Sequence, residues 1–542
     1  MNRKKVLLFA LATLLSVLLV ACNGQEKSKE DEIKANEEAT KNLTESGMPI
    51  VKDQITLDFF TGKSNVNLGI DWNDLMLWNK YRDLTNIKVN WVEQVSMDAL
   101  AEKRNLALAG GNLPDVFYSS SISNTDILKY GQQGTFIELN DLIEENAPNL
   151  KALLDANPNV KKGLTFPDGK IYSLPSIRDE EFLSIRLGAL PWFNQTWLDK
   201  FGMDMPETTE EFHKYLTAVK TQDPNGNGKM DEIPYGGVEI DHLIGWIRGS
   251  FGIGNNGGGD FDKDPDGDGL RYIPATDGYK EMLEYLNKLY KEELIQQNIF
   301  SIEWGQYMAA ASEGRYGSTA FWDPTRTFAS GNDENKYVSA VALKGPNGDQ
   351  VYSNVGSPLS GIGAFVITKE NPNPAATVRW LDFFYSDEGA RFLYMGIENE
   401  TYEKTDDGKY QYVDEIANSE DKNDAISRYL PWVGVNPPGI VKQDYFIGAE
   451  TSEATLEATE RIEPFVPEDL WSSFTYTEEE NKFIASNGAD VEKYVKEMRD
   501  KFISGDTPFT EWDKYLKTLK DIGADKYLEI NNEAYKRYSE DK

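Results

Sequence analysis

The sequence predicts an α/β protein, and three observations carry that reading. Short strand-like runs alternate with helical ones from residue 55 onward. Amphipathic, capped helices follow in the middle of the chain. The stretch from about residue 400 to the end reads as mostly helical, broken by Pro437-Pro438. Alternating strands and helices point to a largely parallel sheet covered on both faces.

The N-terminus is read separately. Met-Asn-Arg-Lys-Lys precedes an apolar run from Val6 to Val20, too short to span a bilayer, which needs about 20 residues. This pattern is a secretory leader covering residues 1–21. Leu19-Val20-Ala21-Cys22 resembles a bacterial lipobox, in which the cysteine thiol is lipidated with acyl chains such as palmitate. Cys22 is the only cysteine of the chain, so intrachain disulfides are excluded. Two acyl chains provide stable anchoring where one does not. Residues 22–50 are rich in Glu, Lys, Asn and Ser and contain no aromatic residue, so they read as a flexible tether.

The body is long enough for two cores, and 40% of the chain is hydrophobic. A formal charge of −34 argues against nucleic acid or an anionic membrane surface as partner, because both repel such a field.

The elements follow in order. Residues 55–60 alternate apolar and polar side chains as a strand, 87–92 form a second and 115–118 a third, with helices at 75–82 and 99–109 between them. A second α/β region follows Ser176. Thr208 and Glu211 form a capping box, and Phe212, Tyr215, Leu216 and Val219 then share one helical face. Residues 279–290 repeat that pattern. Residues 361–368 read as a buried strand, and Pro374 opens the helix 375–385, in which Trp380 belongs to the core. Trp197, beside Leu198, is also read as core.

Catalytic motifs are missing. The two histidines, His213 and His242, have no HExxH context and no cysteine partner, and there is no G-x-S-x-G elbow. The nearest approach to a phosphate loop, Gly163 to Gly169-Lys170, has the wrong spacing, and Ile171 stands where Ser or Thr should bind magnesium. It reads as a Pro-Asp-Gly turn. A secreted carbohydrate-active enzyme working through paired carboxylates stays open as the alternative function.

One constellation points to an ion. Asp223, Asn225, Asn227, Lys229, Asp231 and Glu232 place oxygens at alternating positions, with Gly228 where a calcium loop turns sharply. Pro234 occupies the twelfth position, so Glu232 must close the shell and the loop is not a standard EF-hand. The competing reading is an Asn-Gly turn that needs no ion. The acidic run 260–269 looks similar, but its Pro-Asp-Gly-Asp-Gly core reads as a hairpin turn.

Aromatic residues reach 12% of the chain, and several sit in polar, loop-like contexts suited to stacking on sugar rings. These are Trp72 beside Asn73 and Asp74, Trp246 near Arg248, Trp322 beside Asp323 and near Arg326, and Trp432. Ser119 and Ser120 follow the third strand at the carboxyl end, where open α/β sheets bind ligands. All eleven are predicted ligand contacts.

Several segments then match a known family: 109–116 (AGGNLPDV), 197–202 (WLDKFG), the run 206–234, 289–295 (LYKEELI), 343–348 (LKGPNG) and 379–382 (RWLD). From about residue 50 to the end the chain resembles the extracellular solute-binding proteins of ABC sugar importers, in the branch of large lipoproteins that includes the alginate-binding proteins. Glu293 and Asn399 depart from it, standing where relatives often carry glycine. The resemblance implies a two-lobed, periplasmic-binding-protein-like (type II) fold with a hinge and a helical C-terminal region. Lobe 1 would be 51–174 plus 359–398, and lobe 2 would be 175–358 plus 399–542, with hinge crossings near 172–176 and 356–361. It also implies a non-enzymatic monomer on the extracellular face of the bacterial membrane that takes an oligosaccharide to permease subunits. The family's structural calcium loop maps onto the residues from Asp223 to Glu232.

Overall fold

The structure, a computed structural model, describes residues 38–64, 69–328, 336–419, 423–431 and 437–540. The leader, Cys22, the first part of the tether and Trp432 lie outside the described residues.

Ten strands build two sheets. They are β1 Ile55–Lys63, β2 Ile87–Ser96, β3 Val116–Tyr118, β4 Leu174–Arg178, β5 Leu190–Asn194, β6 Ile233–Tyr235, β7 Tyr316–Phe321, β8 Tyr337–Ser339, β9 Leu359–Ile367 and β10 Gly439–Val441. The first sheet has the order β10-β4-β9-β3-β1-β2 and the second β8-β5-β7-β6. β1 pairs in parallel with β2 and β3, connected through the helices Met76–Thr85 and Met97–Gly110. The sheet is mixed where the sequence suggested a mainly parallel one, since β9 runs antiparallel to both β3 and β4. β9 is the strand by which the chain returns from the second lobe, so it enters this sheet from the opposite direction.

Each sheet nucleates its own apolar core. The first gathers side chains from Ile50 to Phe182 and again from Leu359 to Phe446. The second gathers Leu187 to Val355 and Ala458 to Tyr527. This is the two-lobed α/β architecture. The helix Thr209–Thr221 shows how sequence produces it. Thr208 and Glu211 form the capping box, worth about 1 kcal/mol. Phe212, Tyr215, Leu216 and Val219 are each at most 1% exposed, and each such burial contributes about 1.5–3 kcal/mol.

Two boundaries differ from the sequence reading. Segment 399–446, expected in lobe 2, joins the first core through Ile416, Ile426, Leu430 and Ile440, and β10 pairs with β4. Two prolines precede β10, but its apolar Gly-Ile-Val run needs a partner strand, and the edge of β4 provides one. The tether, expected to reach residue 50, is already docked near its end. Leu43 bridges Val51, Arg379 donates to the Thr44 carbonyl, and Ile50 and Val51 are buried. Their apolar side chains anchor a stretch that composition alone read as solvated.

The chain crosses between cores at 182–187, 355–359 and 446–458. The first crossing lies downstream of the expected 172–176, because β4 still belongs to the first sheet. The first two crossings run side by side. Leu187 bridges Val355 in antiparallel fashion, Gly356 N–H donates to the Arg186 carbonyl (2.8 Å), and Arg186 Nε donates to the Gly356 carbonyl (3.1 Å).

Candidate functional site

The paired crossings form the floor of a cleft of about 550 Å³. Its walls come from both cores: Ser176, Arg178 and Tyr394 from the first, and Trp322 and Asn354 from the second, with Glu450 on the third crossing. A neighbouring arm of about 420 Å³ shares Arg178, Gly258 and Ser360 with it and is faced by Asp260 and Trp471.

Three kinds of group meet here. Trp322 stands at the end of β7, 39% exposed, with its ring against Phe321 and His242. An exposed indole held on two sides is a rigid apolar platform for the C–H face of a ligand. Arg178 closes β4, and among the described residues its guanidinium makes no hydrogen bond or ion pair. Burial lowers its pKa, and Glu450 across the cleft counters that. Asp260 begins the hairpin Phe261–Lys263/Leu270–Tyr272, and its carboxylate is also without a side-chain partner among the described residues. Although open to the cleft, it is surrounded by protein, which raises its pKa against the opposing pull of Arg248. Arg178, the more enclosed of the two, is the costlier to leave without a partner until something binds to it. Asn354 completes the wall in space left by two glycines. A Cβ on Gly188 would fall 2.3 Å from its Nδ2, and one on Gly245 3.1 Å from its Cγ.

The predicted ligand residues separate. Trp322 lines the cleft. Trp72 is 1% exposed and packs within an aromatic cluster with Trp78, Trp91 and Tyr118, so it is core. Asn73 and Asp74 are exposed but do not line this cleft; Asn73 ties its loop to β2 by accepting from Trp91 N–H (2.9 Å). Ser119 and Ser120 are buried at the end of β3, where the Ser120 carbonyl accepts from Arg104 (3.0 Å). Trp246 is 1% exposed and donates Nε1–H to the Val341 carbonyl. Arg248 acts behind the wall, donating to the carbonyls of Gly258 (3.0 Å) and Gly259 (2.5 Å). Asp323 is fully buried, and its Oδ1 accepts from Thr325 N–H and hydroxyl at the start of the helix Pro324–Thr327. Arg326 sits on that helix, its side chain outside the described ones. The lining residues of the cleft and its arm that the sequence reading missed are Arg178, Asn354, Asp260 and Trp471. The signal that could have found Arg178 and Asn354 was their closeness in sequence to the crossings.

The loop 223–232 lies apart, joining the helix Thr209–Thr221 to β6. It is folded around its own oxygens. Asp223 accepts from the N–H groups of Gly226 (2.8 Å), Asn227 (3.1 Å) and Gly228 (2.7 Å), and Asn227 Oδ1 accepts from Lys229 N–H. Gly228 takes a φ of +80°, the turn its position demands. Glu232 Oε2 is buried without a partner, and burial, with Asp223 and Asp231 adding like charge, raises its pKa. Among the described residues no three His, Cys, Asp or Glu side chains converge as a metal cluster. The donor set here is instead carboxylate, amide and carbonyl oxygen, the kind a hard cation prefers, and the orphaned Glu232 oxygen fits one.

Two lobes, a hinge of paired crossing strands and a polar, aromatic-walled cleft at that hinge define a binding protein that encloses its ligand between lobes. The sequence profile of bacterial extracellular solute-binding proteins matches residues 75–391, more than half of the chain, and the protein belongs to that family. The fructooligosaccharide ABC transporter substrate-binding protein FusA of Streptococcus pneumoniae is 29% identical over 517 residues, covering 91% of this chain and 92% of FusA. The structure of FusA in complex with kestose superposes with a TM-score of 0.74 at 27% identity, covering 89% of this chain and 99% of that one. An EF-hand mutant of FusA in complex with fructo-nystose gives 0.71 at 26% identity, with the same coverage. The alginate-binding protein AlgQ2, solved without calcium ion, shares the fold at 22% identity, with a TM-score of 0.69 and coverage of 90% and 99%. Members of this family bind solutes rather than turn them over, which sets the carbohydrate-active enzyme aside.

Proposed function

We propose that the protein captures a neutral oligosaccharide in the interlobe cleft and delivers it to the permease of an ABC importer. The observation that carries this is the Trp322 platform set in the cleft with the Arg178 guanidinium, and the Asp260 carboxylate in the adjoining arm, neither charge paired by a side chain among the described residues. Sugar hydroxyls donate and accept, so one ligand can satisfy both charges at once. Opposite signs in one cleft disfavour a ligand of high net charge, and the name of the relative FusA supports the class. Closure about the paired crossings would bring the walls together, which requires that sugar bind the closed form better than the open one. Calorimetry on the purified protein with kestose, nystose and an acidic uronate oligomer tests the reading. Micromolar or tighter binding of a neutral sugar is expected; binding of the uronate alone would overturn it.

In the same reading Cys22 carries the lipid that holds the protein, as a monomer, at the extracellular face of the cell membrane. The lipobox and the absence of any other cysteine support this. Cys22→Ser should release the protein into the medium and abolish palmitate labelling.

Calcium is the structural cofactor of this reading. Asp223, Asn225, Asn227, Asp231 and Glu232 would hold it through side-chain oxygens and Lys229 through its carbonyl. When bound, the ion neutralises the carboxylates that now repel one another. The oxygen-only donor set and the EF-hand of FusA support it.

A further inference from the structure

Behind one wall of the cleft lies another cavity, of about 290 Å³. It shares Gly258 and Asn354 with the main cleft and Asp260 with the arm. The partition is the backbone of Gly257, Gly258 and Gly259, which carries no side chain. Gly258 borders the cleft, the arm and this cavity, and nothing lies within 4 Å of where its Cβ would stand. Arg248 props it from behind through the Gly258 and Gly259 carbonyls.

The cavity walls are polar and unfinished. Tyr279 is 6% exposed, yet among the described residues its hydroxyl makes no hydrogen bond. Lys496 makes no ion pair there, and Asp260 has no side-chain partner. The other charged groups are engaged: Arg499 with Asp241, Glu492 with the Tyr527 hydroxyl (2.7 Å), and Arg248 with the wall. Asp241, Asp260 and Glu492 balance Arg248, Lys496 and Arg499 in sign. The Tyr279 hydroxyl keeps accessible surface, so it can bond a ligand hydroxyl in the cavity. A balanced, mixed-sign lining suits a neutral group rich in hydroxyls and resists a uronate or an amine, either of which would leave one sign in excess.

We infer that this cavity is a terminal subsite for one further neutral sugar unit, entered from the cleft past Gly258. Tyr279 and Lys496, which line this cavity and not the cleft or its arm, meet the hydroxyls of that unit, so the cavity reads the length of the oligosaccharide. The inference rests on the oligosaccharide reading above, and one experiment separates the two. Dissociation constants for kestose, a trisaccharide, and for nystose and its one-unit-longer homologue are measured on the purified protein and on Tyr279→Phe and Lys496→Ala. The first variant is near-isosteric and the second changes an exposed side chain, so both should melt as the parent does. The parent should bind the longest sugar about tenfold more tightly than kestose, and each variant should cut that preference about fivefold. A preference unchanged in both variants, in a parent that binds these sugars, overturns the subsite alone. A parent that binds none of them overturns the oligosaccharide reading and the subsite with it.

Discussion

The imidazole of His242 meets the indole of Trp322 edge to face, with ring centres 5.3 Å apart and planes at 84°. His242 Nε2 lies 3.1 Å from Glu239 Oε1, and its Nδ1 is buried without a partner. Burial holds its pKa below the ordinary histidine value, against the pull of Glu239 and Asp241. Burial thus favours the neutral ring over the imidazolium. Such an aromatic pair is worth about 0.5–1.5 kcal/mol beyond its buried area. His242→Ala should weaken kestose binding about fivefold by freeing the indole to turn, while His242→Phe should restore most of it. Trp322→Ala should cost more than either, on the order of twentyfold, and calorimetry on the three variants ranks them.

Asp260 sets binding against stability. Its folded pKa is raised, so the stability it contributes is full only below the unfolded value near 3.8 and falls away as pH rises through the folded pKa. Asp260 is open to solvent, so screening keeps the penalty at neutral pH small. Asp260→Asn should raise the melting temperature by no more than about 1 °C at pH 7 and leave it unchanged at pH 3. The same variant should bind kestose about tenfold more weakly. Thermal melts across that pH range, paired with calorimetry at pH 7, show whether the two effects oppose.

Calcium should act on stability. Chelator should lower the melting temperature and added calcium restore it, by up to about 2.7 kcal/mol when the ion is at a hundred times its dissociation constant. Asp223→Ala removes the acceptor of three backbone N–H groups, so it should lower stability and remove the response to calcium together. A variant that still responds would place the ion elsewhere.

Trp72 should behave as a core residue. Trp72→Ala leaves a cavity among Trp78, Trp91 and Tyr118 and should cost about 3–5 kcal/mol, while Trp72→Phe should cost much less. Kestose affinity of the phenylalanine variant should stay within twofold of the parent. Chemical denaturation and calorimetry give the two numbers.

Much of the fold could be read from residue order, because it rests on local rules. The period-2 and 3.6-residue patterns placed β1, β2 and the helix Thr209–Thr221, and the Thr208–Glu211 box set that helix's start. Glu293 and Asn399, noted as standing where relatives carry glycine, take φ values of +53° and +62°, the left-handed region that glycine favours. The turn chemistry of the 223–232 loop was equally local, since an Asx side chain bonds to backbone only a few residues away.

The cleft was decided by tertiary structure. Trp72, Trp246 and Trp322 sit in similar polar surroundings along the chain, yet only Trp322 opens into the cleft, because burial depends on which elements pack over a side chain. Arg178, Asp260 and Asn354 come from separate elements of two lobes and meet only because crossings far apart in sequence pair with one another. The amino-acid order by itself determined the class of fold, the turn of the oxygen-lined 223–232 loop and the family resemblance, since periodicity, turn chemistry and motif spacing are properties of neighbouring residues. Which side chains line the cleft was decided by long-range packing, which no local pattern encodes.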